Sequence, residues 1–123
     1  MAQRDTDRNV WLATIRPGGR PHLTPIWYCF QNDRFWISTS AEAVKTRNVL
    51  LNPNVSVSLE DGTRPVVAEG TATVHQRPHP QAVIEAFIDK YDWDISRRDD
   101  PDGPFDALLE VAVHRWLMGD ADA

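Results

Sequence analysis

Between residues 10 and 39 the chain has no room for a crossover. Three apolar-rich extended runs lie there: Val10–Arg16 (VWLATIR), Arg20–Phe30 (RPHLTPIWYCF) and Arg34–Thr39 (RFWIST). Only Pro17-Gly18-Gly19 and Gln31-Asn32-Asp33 separate them. A parallel pair needs a connection of about a dozen residues or more, usually a helix. Gaps this short and this rich in turn residues permit hairpins alone. The segment is therefore an antiparallel meander, and a doubly wound parallel sheet is excluded from the start. Pro21 and Pro25 cannot donate to a ladder, so the middle run belongs at an edge or beside a bulge.

Beyond Thr39 the period changes. Ser40 is a good N-cap residue and Glu42 suits the first turn of a helix, which predicts a helix over Ala41–Leu51 stopped by Pro53. Val55–Leu59 alternates as a fourth strand, Asp61-Gly62 turns the chain, and Pro65–Val74 forms a fifth. Val83, Ile84, Phe87, Ile88 and Tyr91 share one face of a second helix, Gln81–Tyr91. The charged stretch Asp92–Pro104 reads as a surface loop, and Phe105–Trp116 alternates as a sixth strand. The order β-β-β-α-β-β-α-β predicts a mainly β protein, a six-stranded antiparallel split β-barrel with two helices. One domain over residues 1–123 is expected, with residues 1–9 as a flexible N-terminus.

Charge and composition narrow the partners. A formal net charge of -5 makes a nucleic-acid backbone an unfavourable partner. The apolar runs are far shorter than the ~20 residues of a membrane helix, so no membrane is expected. The opening MAQRDTDRN carries no signal-peptide pattern, and the single Cys29 permits no internal disulfide. Both features suit a cytoplasmic protein. Cys29 has no Cys-x-x-Cys partner and reads as a buried thiol.

Few residues offer chemistry. Lys45 and Arg47 lie near the start of the first helix, where free backbone N–H groups also favour anions. Together they suit a phosphate; the alternative is a solvated helix face. Hydroxyls at Ser38, Thr39 and Ser40 adjoin that helix. On alternation His22 and Thr24 share one strand face, with Leu23 on the other. His22 has an ordinary edge-strand role as its alternative. Trp27 and Trp36 suit a core, an interface or the cover of a flat ring. His75 and His79 are spaced for a metal on a helix, but Pro78 and Pro80 disfavour that helix, so no metal site is expected. Glu69 suits a structural charge. No nucleophile elbow, P-loop, dinucleotide βαβ unit or metalloprotease motif occurs.

Four short motifs follow one another along the chain: Gly19-Arg20-Pro21, Lys45-Thr46-Arg47-Asn48-Val49, Asn52-Pro53-Asn54-Val55 and Glu69-Gly70-Thr71-Ala72. In this order the sequence resembles the pyridoxamine 5'-phosphate oxidase-like superfamily, above all its flavin/deazaflavin oxidoreductase branch. The resemblance covers roughly Val10 to Tyr91. It implies an FMN-binding-like split barrel that dimerises with itself and holds its cofactor at the dimer interface. It implies that Lys45 meets the cofactor phosphate, with Arg47, Asn48, Ser38, Thr39 and Ser40 nearby. It also implies that the strand carrying His22, Thr24 and Pro25 runs beside the isoalloxazine-type ring. Trp93, Arg97 and Arg98 are candidates to reach the partner chain. The cofactor is then coenzyme F420 or FMN, with a lean to F420. Ala43 stands where many deazaflavin-binding relatives have an arginine, which keeps FMN in play. The implied activity is F420- or FMN-dependent reduction of a small organic substrate. A non-catalytic carrier of flavin, deazaflavin or haem is the alternative, and a true pyridoxamine 5'-phosphate oxidase is the third.

Overall fold

A computed structural model describes residues 2–119. In chain order these form α1 (Gln3–Thr6), β1 (Asn9–Ile15), β2 (Pro21–Trp27), β3 (Cys29–Gln31), β4 (Arg34–Thr39), α2 (Val44–Leu51), β5 (Asn54–Leu59), β6 (Val67–Gln76), α3 (Gln81–Tyr91) and β7 (Ala107–Met118). The strands make one antiparallel sheet in the order β2-β1-β5-β6-β7-β4-β3.

The two edges, β2 and β3, are consecutive in sequence, with only Tyr28 between them. Seven strands laid flat would hold the edges about 29 Å apart at the usual ~4.8 Å spacing. Two residue steps span about 7 Å at most. The sheet therefore rolls until its edges meet at Tyr28, a split barrel with a seam rather than a closed one. The fold is mainly β, as the sequence predicts.

The count differs by one strand. The expected single run Arg20–Phe30 breaks at Tyr28, because β2 pairs with β1 as far as Trp27↔Asn9 and β3 pairs with β4 from Cys29↔Trp36. Tyr28 belongs to neither ladder, and it is fully buried. Its backbone groups are satisfied from α3. The Tyr28 N–H donates to the Tyr91 hydroxyl at 2.9 Å, and the Tyr28 carbonyl accepts from Lys90 Nζ at 3.0 Å. The Tyr91 hydroxyl lies 2.7 Å from both the Tyr28 and Arg8 carbonyls, so its one proton reaches either. The Tyr28 phenol donates to the Arg4 carbonyl at 2.7 Å, which ties α1 to the corner. Thus the segment ahead of β1, expected as a flexible terminus, carries a helical turn.

The first long helix also begins later than Ser40 implies. Ser40 Oγ accepts from the Glu42 N–H at 3.0 Å, its carbonyl accepts from Thr46 Oγ1 at 2.7 Å, and Asp106 Oδ1 holds the Ala41 N–H at 2.8 Å. Residues 40–43 are thereby fixed as a turn. Ala43 becomes the N-cap, with no side-chain cap. The helix Gln81–Tyr91 falls where its periodicity places it.

Two cores result. Val10, Leu12, Phe35, Ile37, Val57 and Leu109 fill the barrel. Cys29, Trp36, Val83, Phe87, Tyr91 and Leu108 pack α3 on its outside. Trp36 is accordingly a core residue, and its indole N–H donates to the Gln31 carbonyl. Cys29 is buried as expected, and desolvation pushes its thiol up to about 11. Among the described residues, no helix is long and apolar enough to cross a membrane.

Gly70 shows why its motif needs glycine. The β6–β7 register slips between Glu69 and Gly70, and a Cβ there would stand 2.1 Å from the Ala112 carbonyl oxygen. Gly70→Ala should therefore cost about 3 kcal/mol, the upper end for overpacking, because the obstacle is backbone. Tyr91→Phe should cost about 1–3 kcal/mol by leaving the buried Tyr28 N–H unpaired. Urea titration of each purified variant measures both losses; an unchanged midpoint refutes the corresponding contact.

Candidate functional site

The turn Pro17-Gly18-Gly19 sets the geometry of one concavity. The Gly19 N–H donates to the Arg16 carbonyl at 2.8 Å and the Arg16 N–H to the Arg20 carbonyl at 2.9 Å. Gly19 has φ +92, a conformation glycine adopts without strain. This hairpin pairs Thr14 with His22. Arg16 follows two residues after Thr14, so Arg16 and His22 fall on one side. Helix α2 lies against that side, anchored by a buried hydrogen bond of 3.0 Å from Asn48 Nδ2 to Thr14 Oγ1.

The result is a cavity of about 320 Å³ lined by Arg16, His22, Arg47 and Asn48 together with Val44 and Leu51. Among the described residues, no carboxylate lines it. Lys45, the second residue of α2, is half-buried beside it, and desolvation lowers its pKa. His22 is held below its ordinary value by desolvation first, then by the positive charges of Arg16 and Lys45. A basic pocket thus exists in a chain of net charge -5.

A second, larger groove of about 560 Å³ opens at the other end of β2. From His22 to Trp27 is about 17 Å at ~3.3 Å per residue. Pro25, Trp27, Ser38, Tyr91 and Trp93 line this groove. Its outer wall is the loop after α3, which Arg77 secures from below. The Arg77 guanidinium donates to the carbonyls of Arg97 at 2.7 Å and Phe105 at 3.0 Å.

The nine residues expected at a site therefore divide. His22, Arg47 and Asn48 line the basic cavity, with Lys45 adjoining it. Pro25 and Ser38 line the second groove. Thr24 lies between, on the His22 face, as alternation predicts. Thr39 is buried in the β4–β7 ladder, and Ser40 is engaged in the turn before α2. Three of the nine retain unused polar atoms. His22 Nδ1, Thr24 Oγ1 and Ser38 Oγ are shielded from solvent and have no hydrogen-bond partner among the described residues. Buried polar atoms without partners are rare in folded proteins. His22 Nδ1 and Thr24 Oγ1 suit a ligand lying along β2, while Ser38 Oγ belongs to the second groove.

Arg16 was absent from the sequence expectations. Its signal was the hairpin itself, since fixing the Thr14↔His22 register places Arg16 beside His22. Several other candidates are engaged locally. His75 Nε2 meets Glu110 Oε1 at 2.7 Å, and Glu110 also pairs with Arg34. His79 is buried, and its pKa is lowered by desolvation. Glu69 is exposed. Trp93 meets Trp27, Phe87 and Phe105 of its own chain, while Arg97 pairs with Asp99 at 3.1 Å.

The profile of the pyridoxamine 5'-phosphate oxidase family matches residues 2–118, nearly the whole described chain. This protein belongs to that family. Solved structures agree with the assignment of fold. An F420 reductase superposes with a TM-score of 0.72 at 20% identity, over 92% of this chain and 90% of its own. The haem storage protein HutZ from Vibrio cholerae superposes at 0.77 with 19% identity, over 94% and 88%. A conserved hypothetical protein from Mycobacterium tuberculosis reaches 30% identity at a TM-score of 0.69, over 90% and 76%. Within the pyridoxamine 5'-phosphate oxidase fold, this member assembles its basic cavity from the first hairpin and the first long helix.

His22 gives this cavity a pH signature. Its folded pKa lies below the ordinary ~6.5, so it is neutral above that value and gains charge only as pH falls through the lowered pKa. Inorganic pyrophosphate should then bind the wild type progressively more tightly than His22→Asn as pH drops below about 6.5. Calorimetric titrations of both proteins across that range compare like with like; identical pH profiles would remove His22 from the anion site.

Proposed function

We propose that this protein is a homodimeric oxidoreductase that binds coenzyme F420 or FMN and acts on a small organic substrate. The observation that carries the reading is the pairing of a basic cavity with unpartnered polar atoms along one strand. Arg16, Lys45 and Arg47 stand at the His22 end without a carboxylate in the cavity lining. His22 Nδ1 and Thr24 Oγ1 await partners along β2. A phosphate at the cavity and a flat heteroaromatic ring along the strand supply both needs.

The division of labour follows. A bound flavin or deazaflavin ring supplies the hydride chemistry. Lys45 offers a point charge, and Arg16 and Arg47 offer planar forks suited to phosphate oxygens. Thr24 and His22 orient the ring through its heteroatoms.

Ala43 no longer weighs against F420. Arg16 brings a guanidinium to the cavity from the opposite wall, so both cofactors stay in the reading. Dimerisation is supported by the exposed apolar residues Trp11, Leu23, Leu50 and Leu51. Trp11 and Leu23 lie on neighbouring strands, through the pairs Trp11↔Pro25 and Ala13↔Leu23.

Titration with FMN, F420 and riboflavin tests the reading. The wild type should bind FMN at least about tenfold more tightly than riboflavin, which lacks the phosphate, as one charged hydrogen bond is worth about 1.5–3 kcal/mol. Lys45→Ala and Arg16→Ala should each remove most of that advantage and leave riboflavin affinity unchanged. Light scattering should report a dimer. Failure of both FMN and F420 to bind would overturn the proposal. Reduced cofactor that stays reduced across a broad panel of acceptors would replace turnover with carriage.

A further inference from the structure

The groove at the Trp27 end of β2 has the opposite electrical character to the basic cavity. Its floor is aromatic: the rings of Trp27 and Tyr91 stack 4.4 Å apart and within 5° of parallel, and Trp93 stands edge-on to Trp27 at 5.8 Å. No lysine, arginine or histidine lines it; its charged side chains are Asp92, Asp100 and Asp102. Asp100 is fixed in place. Its Oδ2 accepts from the Trp93 indole at 2.8 Å and its Oδ1 from the Asp102 N–H at 3.0 Å. Those bonds hold its carboxyl below the usual range, so it is ionised at neutral pH.

One further observation points to a ligand, and a second shows what the aromatic faces attract. Ser38 is only 2% exposed, lines the groove, and has an Oγ without a partner among the described residues. The aromatic pair also holds a cation on its own account. The Arg8 guanidinium lies 4.8 Å over Tyr91 and 5.4 Å over Trp27, outside the groove lining. Faces of Trp and Tyr attract cations, and nearby carboxylates add to the attraction.

We propose that this groove is the substrate site and that its ligand is a flat organic cation bearing a polar atom for Ser38. Its role as a substrate site rests on the function proposed above; the ligand class does not. The field along β2 then sorts the two occupants. The basic end draws a phosphate, the acidic end repels one, and a cation is drawn to the acidic end.

The test uses calorimetric titration with three flat bicyclic probes of similar size, each carrying a methoxy oxygen for Ser38: 6-methoxy-N-methylquinolinium, the neutral 6-methoxyquinoline and 6-methoxyquinoline-2-carboxylate. Each is run on the protein alone and on protein saturated with FMN. The cation should bind about tenfold more tightly than the neutral quinoline, and, with FMN filling the basic cavity, the carboxylate more weakly than either. Asp92→Asn combined with Asp102→Asn should reduce the cation-to-neutral ratio several-fold, with Asp100 and the aromatic faces retaining the remainder. On the unmutated protein, the same ratio should shrink as salt rises. Equal affinities for the cation and the neutral quinoline in both forms of the protein would overturn the proposal. So would a preference that neither salt nor the Asp changes reduce. A cation preference in a protein that binds neither FMN nor F420 supports the ligand class and overturns the cofactor reading instead.

Discussion

The Tyr91 hydroxyl is the contact on which the architecture turns. A sheet rolled onto itself must leave the ladder where one edge passes into the other, and at that residue the backbone loses its partners. Here the residue is Tyr28, and it is buried. An unpaired buried N–H would cost about 1–3 kcal/mol. The Tyr91 hydroxyl accepts that N–H, and Lys90 covers the carbonyl. Helix α3 therefore closes the corner as well as covering a hydrophobic face. Burial also raises the Tyr91 phenol well above its ordinary pKa, so the hydroxyl keeps its proton and can donate while it accepts.

The same corner organises the two concavities. Trp27, the last residue of β2, stacks on the ring of Tyr91 whose hydroxyl secures Tyr28. At the far end of β2, Thr14 pairs with His22 and anchors α2 through Asn48. One strand is thus fixed at both ends by side chains from helices. Rigid ends keep the spacing of His22, Thr24 and Trp27 constant, and a ligand that must meet several of them loses less freedom on binding.

Much of this was legible in the sequence because local chemistry decided it. Short turns forced the meander, and alternation put His22 and Thr24 on one face. Helical spacing placed α3 within its observed bounds. Lys45 and Arg47 did come to the edge of a shared basic cavity. What escaped was decided at long range. Nothing in the run Ile26-Trp27-Tyr28-Cys29 marks a break, since the partner that permits it lies 63 residues away. Ser40 has the composition of an N-cap, but Asp106, from the far side of the second helix, holds the turn that delays the helix. Arg16 reads only as the last residue of the first strand until the hairpin register is known. The groove at Trp27 is invisible locally because its walls come from four separate segments.

Those walls are attached in different ways. The floor belongs to β2 and α3, whose disruption would open the corner. The outer wall, residues 92–105, is held by the Arg77 guanidinium, by Ile95 buried in the outer core, and by Trp93 packed on Phe87 and Trp27. Changes at its exposed positions, such as Asp92 and Asp102, can therefore alter what the groove accepts while the hairpin, α2 and the basic cavity stay as they are. Selection can act on the two ends of the strand separately, with one held constant while the other diversifies.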